Sequence, residues 1–133
     1  MYLLDTDVIS SLRRPERSPR VVAWLNARDP AELYLSVLTI GEIERGIRQQ
    51  ARVNPAFSAD LRGWLERTVV QFADRIMPFD MPAARLWGTL SAELANARTD
   101  LMIAASALTV GATLATGDAG QAASGVRIEN PFA

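Results

Sequence analysis

The side chains that could do chemistry in this chain are carboxylates. It has no histidine and no cysteine, and all 14 of its basic residues are arginine. Ser-His catalysis, thiol nucleophiles and zinc-thiolate sites are therefore excluded, as are Schiff-base and P-loop chemistry, which need lysine. Acid–base or metal chemistry must run on Asp, Glu and water. Four acids stand where such chemistry is placed in α/β proteins, just past an apolar strand or at the start of the helix beside it. Asp5 follows the apolar run Tyr2-Leu3-Leu4, Glu42 lies one turn into a helix that follows Leu33 to Val37, Asp100 opens an uncharged ten-residue stretch, and Asp118 ends Thr113-Leu114-Ala115. Each also has a structural explanation, as a helix cap or a first-turn acid favoured by the helix dipole. The recurrence of the setting favours function. Four carboxylates in one pocket repel one another, and a hard divalent cation with oxygen ligands, Mg²⁺ or Mn²⁺, is the natural remedy.

The elements that must position these acids follow from the apolar pattern. At 133 residues the chain reads as a single domain, 1–133, large enough to bury a core without staples. Short strands at 2–4, 33–37, 76–79, 113–115 and 126–128 alternate with helices, which predicts a parallel sheet covered on both faces. Pro78 marks the third strand as an edge or a strand end. Ile40, Ile43 and Ile47 share the core face of the helix after the second strand, while Glu44 points to solvent. Phe57, Leu61, Trp64, Leu65 and Phe72 form a wide apolar stripe, either core or a partner-binding groove. Asp80 reads as an N-cap and Thr99 as the cap of the next helix. That helix begins at Asp100, is apolar nearly all round and stops at Gly111. Arg13, Arg14, Arg17 and Arg20 crowd one segment, either a solvated polar edge or a phosphate-contacting rim beside the acids, with Arg13 and Arg14 the first candidates. With a net charge of −1, nucleic-acid binding would depend on such local clusters. No segment is long and apolar enough for a membrane span, and the expected location is the cytoplasm.

Taken in order, LLDTDVIS, YLSVLTIGEIERGI, DLMIAASAL before a Gly turn, ATGD and IENPF resemble the PIN-domain ribonucleases, in particular the VapC-type toxins of bacterial toxin–antitoxin pairs. The resemblance implies a three-layer α/β/α fold with a central parallel sheet of four to five strands. It implies metal-dependent cleavage of RNA by a quartet of Asp5, Glu42, Asp100 and Asp118, supported by Thr6, Thr116 and Asp7, the last standing where the family often has Asn. It further implies a VapB-type antitoxin seated on a groove carrying Ile43, Ile47, Leu61 and Trp64. Homodimers, toxin–antitoxin hetero-oligomers and operator DNA contacted only through the antitoxin complete the picture. The segment LSAELANARTD before Asp100 is shorter than the Gly/Pro-containing loop common in the family. Two alternatives come with this reading. The D-T-D opening also resembles haloacid-dehalogenase-type aspartyl phosphotransferases, with Asp5 as nucleophile and Asp7 as acid; the other is a PIN-like binding module without catalysis.

Overall fold

The computed structural model describes residues 1–133. Its centre is β1 (Tyr2–Leu4), whose Leu3 and Leu4 are both fully buried although they point to opposite faces of the sheet. A strand buried on both faces needs apolar residues at every position, which is why this run shows no alternation. β2 (Leu33–Ser36) and β4 (Thr113–Ala115) flank it, with Tyr2 in register with Leu33 on one side and Thr113 on the other. β3 (Ile76–Met77) and β5 (Ile128–Glu129) close the two edges, giving a five-stranded, all-parallel sheet of order β3-β2-β1-β4-β5. The expected edge position of the strand beside Pro78 is found, although the strand stops before the proline. The last strand lies two residues later than the apolar run suggested, because the backbone pairs at Ile128 and Glu129.

Six helices cover the sheet: α1 (Thr6–Ser11), α2 (Pro19–Asn26), α3 (Val37–Ala51), α4 (Pro55–Gln71), α5 (Met81–Leu94) and α6 (Thr99–Val110). Leu4, Leu35 and Ala115 share one core with Val8, Ile9, Val21, Ile43, Ile47, Leu65 and Phe72 from α1 to α4 and its end. Leu3 and Leu114 share the other with Ile103, Ala104 and Ala107 of α6. The helix ends are set by short polar side chains: Ser36 accepts from Leu38 N, Asn54 from Phe57 N and Asp80 from Ala83 N. Asp80 is thus the cap expected of it. Thr99 is not; it is the first residue of α6, and Arg98 holds the cap position without a side-chain bond. α6 ends at Gly111 with φ of 69°, a left-handed conformation that glycine adopts without steric cost. Glu44 is exposed, as expected, and reaches Arg62 of α4 at 3.6 Å.

Arg28 ties α2 to the β5 edge. Its guanidinium lies 3.6 Å from the centre of the Trp24 ring and 5.0 Å from that of Tyr2, and Nη2 donates to Glu129 Oε1 at 2.9 Å. A planar cation is needed to stack and bond at once. Arg28→Lys should therefore lose nearly as much stability as Arg28→Ala, about 1–2 kcal/mol, read as a lowered urea midpoint at unchanged slope.

Candidate active site

Strand order reverses direction between β1 and β4: the chain leaves β1 toward β2 and β3, then crosses to β4 and β5. The C-terminal ends of two strands on either side of such a switch point leave a crevice, since the connections depart in opposite directions. Asp5 follows β1 directly and Thr116 follows β4, so both stand at this crevice. The Asp5 amide continues the ladder by donating to Ala115 O at 2.9 Å.

Asp5 is buried, and each carboxylate oxygen has a partner. Oδ1 accepts from Thr6 N at 2.9 Å, and Oδ2 accepts from Thr116 Oγ1 at 2.8 Å. Capping and site geometry are thus the same contact, because the bond that starts α1 also fixes the carboxylate. Thr116 in turn accepts from Asp118 N at 3.0 Å, and Asp118 Oδ1 accepts from Gly120 N at 2.9 Å. A parallel relay lies on the β2 side. Thr6 Oγ1 donates to Glu42 Oε1 at 2.7 Å and lies 2.9 Å from Thr39 Oγ1. Its one proton is spent on Glu42, so Thr39 is the donor to Thr6. Asp7 is drawn across the crevice to β4, where Oδ2 accepts from Gly117 N at 2.8 Å.

Burial pushes the Asp5 carboxyl above its ordinary range, with a smaller push from the charge of Asp100; the bonds from Thr116, Thr6 and Gln121 pull the other way. Burial also raises Asp7, and the charges of Asp5 and Asp118 add to the effect. Asp5 thus senses Asp100 on one side and is coupled through Asp7 to Asp118 on the other. The short connection before α6, with Arg98 N donating to Asn96 Oδ1, leaves Asp100 near enough for its charge to act on Asp5. No three acidic side chains converge tightly enough to form a closed coordination sphere. The donor set nevertheless fits a hard divalent cation: every candidate ligand is a carboxylate oxygen, and Asp5 among them carries a cost for being charged that a cation would relieve.

The other expected residues divide. Arg13 caps the Phe57 ring at 4.7 Å and borders a cavity of about 300 Å³ with Glu42, Ile43, Gly46, Leu61 and Trp64, so the groove opens beside the acids. Arg14 is exposed and does not border it. Ile47 is a correction: it is 1 % exposed and belongs to the core beneath the groove, because successive helical turns place it below Ile43 on the face turned to the sheet.

Two supporting residues escaped the sequence reading. Thr39 is fully buried behind Thr6, and its position one turn before Glu42 was the available signal. Gln121 lies in a 3₁₀ turn (Ala119–Ser124) after β4. It is buried, donates to Asp100 O at 3.0 Å and favours the charged form of Asp5. A glutamine after a Gly-Asp pair carries no periodic signal, and only the fold reveals its place.

Comparison with known proteins identifies the family. Over 99 % of both chains, this one is 36 % identical to "Toxin FitB" of Neisseria gonorrhoeae. It is 33 % identical to "VapC ribonuclease Y4jK" of Sinorhizobium fredii, over 99 % of this chain and 98 % of that one. Among solved structures, FitAB bound to an IR36 DNA fragment superposes with a TM-score of 0.84 at 35 % identity, covering 100 % of this chain and 96 % of that one. The family model described as "PIN domain" matches residues 2–125, and the chain belongs to that family.

Proposed function

We propose that this protein is a metal-dependent endoribonuclease toxin that is neutralised by a cognate antitoxin. The observation that carries the reading is the buried Asp5 carboxylate at the switch point, gripped by Thr6 and Thr116 and pressed by the charge of Asp100. Asp5, Glu42, Asp100 and Asp118 would hold Mg²⁺ or Mn²⁺. When bound, such an ion activates water for in-line attack and offsets the charge developing on the phosphate. Thr6 and Thr116 fix the rotamers of Glu42 and Asp5, and Gln121 ties the turn after β4 to the start of α6. Arg13, at the edge of the cavity beside Glu42, would hold an RNA phosphate.

The names of the relatives, one a ribonuclease and one a toxin, support RNA as substrate. The FitAB–DNA structure supports a protein antitoxin with operator DNA reached through that partner, and the groove of Ile43, Leu61 and Trp64 would offer it an apolar seat on a toxin dimer. The phosphotransferase alternative is disfavoured by the geometry, since Asp7, its acid, is bonded to Gly117 N rather than free beside Asp5.

The test is cleavage of total cellular RNA by antitoxin-free protein. Discrete fragments with 5′-phosphate and 3′-hydroxyl ends should appear with Mg²⁺ or Mn²⁺ and be abolished by EDTA. Folded protein that cuts nothing with either metal would leave the binding module as the better description.

A further inference from the structure

On the β4 side of the acids lies a small cavity of about 220 Å³, bordered by Arg17, Ser18, Pro19, Arg20, Val21 and Phe132. Arg17 and Arg20 are exposed, and neither takes part in an ion pair. The Phe132 ring is 37 % exposed although the preceding Pro131 is buried. Its position is held: Phe132 N donates to Asn130 Oδ1 at 2.9 Å and Ala133 N to Asn130 O at 3.2 Å, a turn that follows directly on β5. The ring lies against the backbone of Gly117, where a methyl group would come within 3.0 Å of the ring edge and within 3.0 Å of Asp7 Oδ2. One residue therefore joins the aromatic ring to the acidic centre, because the same Gly117 donates its N–H to Asp7.

A fixed, half-open aromatic ring flanked by two uncommitted guanidinium groups matches the way proteins grip single-stranded nucleic acid: phosphates on arginine, bases stacked on a ring face. The cavity is smaller than the roughly 300 Å³ at which sites for drug-sized ligands begin, and it suits one planar ring system. Resting on the ribonuclease reading above, we propose that Phe132, Arg17 and Arg20 form a nucleobase subsite that takes a base of the RNA strand next to the bond being cut. Phe132 supplies the stacking face, the arginines hold the adjoining phosphates, and Gly117 sets the distance from base to acids. An acidic segment of a protein partner would satisfy the arginines but would give no role to the ring wedged against Gly117.

The experiment measures binding in EDTA, so that it is independent of cleavage. The probes are a short fluorescein-labelled oligoadenylate and the same ribose-phosphate backbone without bases. Wild type should prefer the oligoadenylate by about 5- to 160-fold, the range of one stacked base. Phe132→Ala should lose that preference, Phe132→Trp should keep it, and Arg17→Ala/Arg20→Ala should weaken both probes alike and flatten the salt dependence. If circular dichroism shows Phe132→Ala unfolded, Phe132→Leu replaces it, keeping the apolar bulk without a π face. Equal probe ratios for wild type and the Phe132 variants, including absence of binding, overturn the proposal. Loss of antitoxin binding in Phe132→Ala at unchanged RNA affinity also overturns it and assigns the pocket to a protein. Wild-type cleavage assayed in parallel separates the two claims. Cleavage without a Phe132 effect sinks only the subsite; a Phe132-dependent base preference without cleavage sinks only the nuclease.

Discussion

Asp5→Asn should reduce metal-dependent RNA cleavage by at least 100-fold while making the metal-free protein more stable. Asparagine is nearly isosteric and can still accept from Thr6 N, so α1 keeps its start. What it cannot supply is the negative charge on the side facing Asp100 and Thr116, which a divalent cation needs. Removing one preorganised electrostatic contact of this kind typically costs about 10²–10³ in rate. The stability effect has the opposite sign because Asp5 is held charged at a cost. Its carboxyl is raised in the folded state, mainly by burial. The folded protein then binds more protons than the unfolded one between the ordinary carboxylate range and the raised value, so stability falls as pH rises through that window. Above it the full penalty is present, and below it there is none. In EDTA at neutral pH the variant should therefore melt a few degrees above wild type, with the gap closing as the pH falls below the ordinary carboxylate range. Adding Mg²⁺ should reverse the order, since only wild type gains binding energy, about 2.7 kcal/mol at a hundredfold excess over its dissociation constant. Thermal melts across pH, with and without metal, read all three effects. A variant less stable than wild type throughout would mean that the hydrogen bond to Thr116 outweighs the burial of charge.

Stability and chemistry pull against each other at Asp5, and the same tension explains what the sequence reveals of this molecule. β1 and α6 were legible because burial on every side demands uninterrupted apolar residues, and an acid at the edge of such a run is conspicuous. Asp5 and Asp100 could be named for that reason, Glu42 and Asp118 because they repeat the setting after another strand, and a parallel sheet with covered faces could be expected from strands alternating with helices. The supports were legible only where they shared a strand end with an acid, as Thr6 and Thr116 do. Thr39 and Gln121 were hidden because their partners are distant in sequence: Thr39 meets Thr6 across 33 positions, and Gln121 meets Asp100 across 21. Phe132 was visible only as part of a closing IENPF segment. Its contact with Gly117 depends on β5 lying beside β4, a pairing decided by the whole sheet. The boundaries that shifted, at Thr99 and in β5, are places where backbone hydrogen bonding rather than side-chain character decides where an element begins.

Ile47→Ala should cost about 2–5 kcal/mol, a large part of the roughly 5–15 kcal/mol that holds a domain of this size together. Ile47 is fully buried in the core beneath the α3–α4 hairpin, and its main-chain carbonyl accepts from Ser58 Oγ at 2.8 Å, locking the two helices. Truncation leaves a cavity between two helices and the sheet that rigid neighbours cannot fill. Ile43, one turn earlier, borders the groove together with Leu61 and Trp64, which are half-buried and can lose bulk into solvent. The two positions should therefore separate folding from recognition. Ile47→Ala should lower the melting temperature by about 6–20 degrees at this chain length, with antitoxin affinity unchanged for the molecules that remain folded. Trp64→Ala should give a smaller loss of stability but weaken the antitoxin by two or more kcal/mol, as expected for an aromatic anchor in an interface. Melting curves and titration calorimetry on the two variants decide the matter. If Ile47→Ala weakened the antitoxin as strongly as Trp64→Ala at a temperature where both are folded, the groove would owe its shape to the packing of the whole hairpin, not to the side chains on its rim.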